Sequence, residues 1–220
     1  MSNYFSQLPN FEYVSRLPDS RISDYAPVKN LFMKGKLRED IFSNLSIFTK
    51  YKIRGDDRPD NVAFDFYGDA NLDWLVLTCN NILNVYNEWP MTQVNFENYV
   101  LDKYGSYDEL NAIRYYETTE VKNTEGVVIT PAGLQVDSDF SVTYFDEEIE
   151  DLVTVSPVIS ITNYQYEENI QDQRRNIFLL KNRYLNVVED DLEEMMEYKE
   201  GSTQYVNGTL KRADNIRLFT

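Results

Sequence analysis

Residues 58–89, RPDNVAFDFYGDANLDWLVLTCNNILNVYNEW, constrain the fold of this 220-residue chain more than any other segment. Pro59 stands where a first helical residue belongs, and Gly68 lies where the chain must turn. Apolar residues fall at helical spacing on both sides of that turn: Val62, Ala63, Phe66 and Tyr67 before it, then Leu72, Leu75, Val76 and Cys79 after it. The segment therefore predicts two short amphipathic helices, closed by an Asn-rich turn and an aromatic rim.

The residues needed for most enzyme chemistry are missing. The chain has no histidine, and its one cysteine, Cys79, lies on the apolar side of the second predicted helix. Neither a GxGxxG nor a GxxxxGK[ST] phosphate-binding sequence is present. Residues 69–73 match the opening of an EF-hand calcium loop, but Trp74 replaces the required glycine and Asn80 the required glutamate. We therefore predict no catalytic, metal or cofactor-binding site and no enzymatic activity.

The net charge of −16 narrows the choice of partners. Nucleic acids and anionic membrane surfaces are bound by clustered Lys and Arg, so neither is an expected partner. The 17 tyrosines suit half-buried protein interfaces as well as cores, which favours protein partners. We expect neither a signal peptide nor a membrane helix, because no cationic start or apolar run of ~20 residues is present. Synthesis in a cytoplasm is therefore expected.

The rest of the chain predicts an α+β fold. Residues 112–120 and 126–130 are β-prone and predict a β-hairpin, whereas residues 163–200 have the apolar spacing of a long amphipathic helix. The predicted segments are an extended N-terminal arm (1–36), a central strand-and-helix unit with a leading helix (37–91), a helix followed by a β-rich region with an acidic loop (92–162), the long C-terminal helix (163–200) and a polar tail (201–220).

Aromatic and apolar side chains are the candidates for contacts with other proteins. Those of the N-terminal arm suit packing on the body of this chain as well as docking on a neighbour. Trp89, beside Pro90 at a turn, suits an interface and a core equally, whereas a core position is favoured for Trp74. The interface candidates are Tyr4, Phe5, Phe11, Tyr13, Tyr67, Trp89, Ile177, Leu180 and Tyr184. The structural core candidates are Phe66, Trp74, Leu75 and Cys79.

Two resemblances rest on the central segment. A strand over residues 46–54 followed by RPDNVAFDFYGDANLDWLVLTCNN resembles a LysM module, a small βααβ fold. The longer context resembles the baseplate wedge protein 53 family of T-even-type contractile phages. The residues that carry this second resemblance are Tyr51-Lys52-Ile53-Arg54-Gly55, Arg58-Pro59-Asp60, Tyr67-Gly68, Trp74, Cys79-Asn80 and Trp89, in that order.

The wedge-protein resemblance implies a structural role in the virion. Proteins of that family lie in the tail baseplate, where they hold neighbouring wedges together around the central hub. It implies other wedge and hub proteins as partners and several copies in each baseplate. A LysM-like unit would then serve as a protein-docking fold, because a fold does not determine a function.

Two alternatives remain open at this stage. A LysM-type protein that binds peptidoglycan would use a shallow groove between the loop after the first strand and the end of the second helix. The acidic charge and the single copy of the unit disfavour it, since the cell-wall polymer is anionic. A glycan-cleaving enzyme would use paired carboxylates, with Glu88 as one candidate, but the acidic residues occur in runs that are typical of solvated or docking faces.

Overall fold

The computed structural model describes residues 3–15, 17–21, 24–201 and 204–212, which form a mixed α+β fold. The helices are α1 (Tyr4–Gln7), α2 (Glu39–Phe42), α3 (Pro59–Tyr67), α4 (Asp73–Cys79), α5 (Val85–Glu88), α6 (Gln93–Tyr104), α7 (Tyr107–Asn111), α8 (Asn163–Arg174) and α9 (Leu185–Met196). Short 3-10 turns cover Leu45–Ile47, Ala70–Leu72 and Asn182–Tyr184.

The strands belong to several small sheets. They are β1 (Asn10–Val14), β2 (Tyr25–Lys29), β3 (Phe48–Lys52), β4 (Ile113–Thr118), β5 (Val121–Lys122), β6 (Val128–Thr130), β7 (Gln135–Val136), β8 (Val142–Asp146), β9 (Asp151–Val155), β10 (Val158–Thr162), β11 (Asn176–Leu180), β12 (Tyr205–Asn207) and β13 (Leu210–Arg212).

The chain divides into two compact units. Unit 1 combines Met1–Trp89 with Asn176–Thr220, and unit 2 is Pro90–Arg175. Unit 1 is therefore discontinuous in sequence, because unit 2 is inserted between two of its segments.

The core of unit 1 lies between a two-stranded sheet and the helix pair α3 and α4. Strands β3 and β11 pair antiparallel, with Ile177 opposite Tyr51 and Leu179 opposite Thr49. The side chains buried most completely in this core are Val62, Ala63, Leu72, Leu75, Val76, Leu179 and Leu180. Burial of apolar surface on this scale is the main source of stability for a unit of this size.

The central unit predicted for residues 37–91 is incomplete within those limits. Strand β3 and helices α3 and α4 form there, but the strand that pairs with β3 is β11, more than 80 residues beyond the end of α4. The prediction that this unit is continuous is therefore wrong, since its second strand follows an inserted unit. Its likeness to a LysM module stays a prediction.

The predicted extended arm and polar tail instead meet in one sheet. Its strand order is β12-β13-β1-β2, with β1 antiparallel to β2 and parallel to β13. In the described residues the arm and the tail are not separate segments, because their strands satisfy backbone groups by pairing with each other. The part of the tail at 202–203 and 213–220 lies outside the described residues.

The long helix predicted for 163–200 is also wrong. The structure has α8, strand β11 and α9 in this span, with a 3-10 turn before α9. The sequence of β11 and the turn after it fits two periods. Ile177, Leu180 and Tyr184 have helical spacing, whereas Ile177 and Leu179 alternate as in a strand. The strand forms because pairing with β3 buries Ile177, Leu179 and Leu180 together.

Unit 2 holds helices α6, α7 and α8 and the sheet β10-β4-β7. Its buried cluster is Phe96, Val100 and Leu110. The predicted hairpin of 112–120 with 126–130 is wrong in its pairing: β4 pairs with β10 and β7, and β6 pairs with the two-residue β5. The β-prone character of both runs is correct, but the choice of partner depends on contacts with residues far along the chain.

A buried carboxylate links α6 and α8 in unit 2. The Glu167 side chain is 3% exposed and accepts hydrogen bonds from Lys103 Nζ at 2.8 Å and from the Tyr104 hydroxyl at 2.9 Å. The hydrogen bond to Glu167 is the main reason that the pKa of Lys103 lies above its ordinary value. Burial, and then the bond to Glu167, raise the pKa of Tyr104.

Candidate docking surface

The side chain of Asn80 connects the end of α4 to strand β11. Its Nδ2 donates to the Phe178 carbonyl at 2.9 Å and to the Val76 carbonyl at 2.8 Å, and its Oδ1 accepts from the Phe178 amide at 2.8 Å. The amide group thus pairs with both backbone groups of Phe178, as a neighbouring strand would. It holds the helix end and the strand in a fixed relation.

The loop after α4 is braced at its far end by Trp89 and Glu88. The indole Nε1 of Trp89 donates to the Asp57 carbonyl at 2.9 Å, and its ring is buried in the core. The Glu88 carboxylate accepts from the amides of Leu83 at 2.7 Å and Asn84 at 3.2 Å. These bonds add to the backbone hydrogen bonds of the loop, such as that from the Ile82 amide to the Leu77 carbonyl at 2.9 Å.

The braced loop presents apolar side chains to solvent. We call residues 82–88 the rim loop; within it, the Leu83 side chain is 79% exposed and that of Tyr86 is 87% exposed. Asn84 caps the short helix α5 by accepting from the Tyr86 amide at 3.1 Å, so the two side chains project from an ordered turn. Large apolar groups held rigidly in solvent are typical of binding surfaces.

Sequence reasoning missed the rim loop as a contact site. Its residues ILNVYNE follow Asn80-Asn81, where the sequence predicts only an Asn-rich turn and an aromatic rim. The sequence does contain a signal for such a site. Two apolar residues, Leu83 and Tyr86, are each followed by an asparagine, a residue type that favours turns and helix caps.

Three of the predicted interface residues are core residues of this chain. Trp89, Ile177 and Leu180 are all buried in the core of unit 1. The prediction that these three residues lie at an interface with another protein is wrong, because elements of this chain already cover them. For Trp89, the structure selects the core from the two possibilities that the sequence left open.

The other interface candidates lie at the surface to different degrees. Phe5 and Tyr13 are exposed, whereas Tyr4, Phe11, Tyr67 and Tyr184 are half-buried. The Tyr4 hydroxyl accepts from the Gly35 amide at 2.8 Å, and its ring lies 5.7 Å from that of Trp74. Tyr4 therefore packs on unit 1 itself, while a role of the exposed members in docking stays a prediction.

The predicted core residues occupy the helix pair as follows. Leu75 and Cys79 are buried, and Phe66 and Trp74 are partly buried and pack against the core. Burial raises the pKa of the Cys79 thiol to about 12, so the thiol stays protonated at neutral pH. Burial, with Cys79 nearby, also raises the pKa of the Tyr67 hydroxyl.

Asp69 has a structural use in the segment that matched a calcium loop. Its Oδ1 accepts from the Asn71 amide at 2.9 Å and from the Asn71 side chain at 2.8 Å, which caps the 3-10 turn before α4. Within the described ranges, no three acidic or cysteine side chains are grouped as metal ligands. No helix there has the length and hydropathy to span a membrane.

The comparison with known families agrees with the central sequence motifs. The family model described as base plate wedge protein 53 matches residues 5–198, which is most of the chain. The chain belongs to this family. The resemblance predicted from the residues between Tyr51 and Trp89 is thereby confirmed. No curated protein matches the sequence.

Family membership sets the broad role of the chain. As a base plate wedge protein it is a structural component of the phage tail that assembles with other base plate proteins. The rim loop lies within the matched span.

Proposed function

We propose that this chain joins neighbouring wedges around the hub of a contractile phage tail base plate, in several copies and without enzymatic activity. The observation that carries the proposal is the rim loop, whose exposed Leu83 and Tyr86 lie on a turn braced by Glu88 and Trp89. A partner that covers these two side chains gains about 1.5–3 kcal/mol for each before ordering costs. Because the loop is already braced, those ordering costs are small.

The proposal is tested by replacing the exposed pair. We expect L83S/Y86S to lower recovery of the chain with co-expressed tail proteins by about tenfold or more, a change of about 1.4 kcal/mol or more. The matched control is L31S/F32S, which removes another exposed apolar pair of unit 1. Both variants are expected to melt at the parent temperature, since neither pair is buried. Equal losses in the two variants, or no loss in the first, would contradict a docking role for the rim loop.

Peptidoglycan binding is the second candidate, and the strand–helix–helix–strand order of β3, α3, α4 and β11 favours it. Sedimentation of the purified chain with purified cell wall separates it from the first. The wedge proposal predicts that the chain stays in the supernatant. Saturable sedimentation that L83S/Y86S leaves unchanged would favour the glycan-binding alternative.

A further inference from the structure

The hairpin of β8 and β9 exposes an apolar face in unit 2. Phe145 and Leu152 are directly opposite each other in the register, and their side chains are 56% and 65% exposed. Thr143 and Thr154 extend the same face, with their hydroxyl oxygens 2.8 Å apart. At the turn, the Ile149 side chain is 66% exposed.

The opposite face of this hairpin points toward the protein. Val142, Tyr144, Val153 and Val155 are half-buried, and Asp146 is buried. The Asp146 carboxylate accepts from the Glu148 amide at 3.0 Å, which orders the turn. The apolar pair on the outer face is therefore held in place and is not a consequence of a loose loop.

The hairpin has no further strand beside it among the described residues. An isolated two-stranded hairpin is marginally stable in water, and an exposed apolar cross-strand pair adds nothing to its stability unless it is covered. A partner surface that covers the apolar pair would therefore stabilise the hairpin.

The charged residues of the chain segment that contains the hairpin are all of one sign. Residues 123–173 contain eleven Asp and Glu and no Lys or Arg. Four of these carboxylates, on Glu147, Glu148, Glu150 and Asp151, surround the exposed Ile149. A second copy of the same hairpin is disfavoured as the covering surface, because the carboxylates of the two copies would face each other.

We propose that the outer face of this hairpin docks on an apolar surface of another base plate protein that is bordered by Lys and Arg. This inference rests on the proposed function and specifies the chemistry of one partner surface. Phe145 and Leu152 supply the apolar contact, and the turn carboxylates select a cationic border and increase the rate of association. The hairpin belongs to unit 2, whereas the rim loop belongs to unit 1.

The test uses the full chain co-expressed with the tail proteins encoded beside it. F145S/L152S removes the apolar pair, and V127S/V128S is the matched control, because it removes two exposed apolar side chains of unit 2 outside the hairpin. We expect the first variant to enter the complex at least about tenfold less well than the parent, and the control to enter like the parent. Equal melting temperatures of the free variants show that folding is intact.

The charge contribution is tested by E147Q/E148Q/E150Q. We expect this variant to lose affinity at about 50 mM salt and to match the parent at about 500 mM, where screening removes the contribution in both. Amide hydrogen exchange of residues 142–155 is expected to slow by about tenfold or more on assembly.

The outcomes separate this inference from the proposed function. If the parent chain enters the complex while F145S/L152S enters equally well and exchange in 142–155 is unchanged, the hairpin inference is overturned and the wedge role stands. If the parent chain does not enter any complex of tail proteins, both are overturned.

Discussion

Cys79 and Asn80 stand side by side at the end of α4 and act in different ways. The Cys79 thiol fills the core, whereas the Asn80 side chain bonds to the backbone of β11. In the sequence the pair marks the family resemblance, and in the structure it marks the place where helix and strand are joined. Both residues stabilise the fold that carries the rim loop.

The Asn80 link predicts a loss of stability on substitution. Asn80→Ala leaves the amide and carbonyl of Phe178 without their side-chain partner, so the free energy of unfolding is expected to fall by about 1–3 kcal/mol. Asn61→Ala is the control, because Asn61 lies exposed in α3 and its change should stay within about 0.5 kcal/mol. Urea denaturation measures both. Equal effects would mean that the Asn80 bonds contribute little.

The raised pKa of Cys79 predicts a loss of stability at alkaline pH. The unfolded thiol ionises near pH 8.5, but the folded thiol ionises only at about 12. Between these values only the unfolded state releases the proton, so the stability contributed by the neutral thiol is complete below about pH 8.5 and decreases as pH rises toward 12. The difference in unfolding free energy between parent and Cys79→Ala should therefore fall by about 1.4 kcal/mol per pH unit above pH ~9. A constant difference from pH 8 to pH 10.5 would contradict a buried, neutral thiol.

Helix ends were the elements most accessible from sequence. Pro59 begins α3 and Gly68 ends it at a φ of +80°, a conformation that glycine adopts without strain. Thr92 caps α6 and Gly105 ends it, and both are residue types that favour these positions. These signals are local, so a single sequence contains them.

The partner of each strand, by contrast, cannot be predicted from local sequence. β11 is a strand because β3 lies beside it, and β1 pairs with β13 from the other end of the chain. No local signal in NIFLL specifies a partner more than 120 residues earlier in the chain. The rim loop was missed for a related reason, since the exposure of Leu83 and Tyr86 depends on where Trp89 and Glu88 bond.

The alternating burial of side chains along β11 predicts which substitutions in this strand destabilise the protein most. Leu179 is 0% exposed, while its neighbour Phe178 is partly exposed. Leu179→Ala should cost about 2–5 kcal/mol of unfolding free energy, because it opens a cavity in the core of unit 1. Phe178→Ala should cost clearly less despite the larger side chain removed. The reverse order in thermal or urea denaturation would show that the strand faces are wrongly assigned.

The two units differ in charge, because the inserted unit 2 is strongly acidic. Unit 2, Pro90–Arg175, carries 17 Asp and Glu against five Lys and Arg, and so holds most of the net charge of −16. Unit 1 carries the rim loop, and its numbers of acidic and basic residues are much closer to each other. This division fits a chain that uses different surfaces for different neighbours in an assembly.

The division into units predicts the behaviour of fragments. Residues 1–89 lack β11 and α9, so they should not unfold cooperatively when expressed alone. Residues 90–175 contain a buried cluster and the Glu167 hydrogen bonds, and should show a cooperative thermal transition by circular dichroism. A stable, cooperatively melting 1–89 fragment would mean that the pairing of β3 with β11 is dispensable.

The measurement that tests the wedge role most directly is co-expression of the full chain with the other tail proteins encoded beside it, followed by size-exclusion chromatography and negative-stain microscopy. The wedge role predicts that the chain elutes with those proteins in a wedge- or ring-shaped particle. A chain that elutes alone in every combination, and is missing from purified base plates, would contradict it.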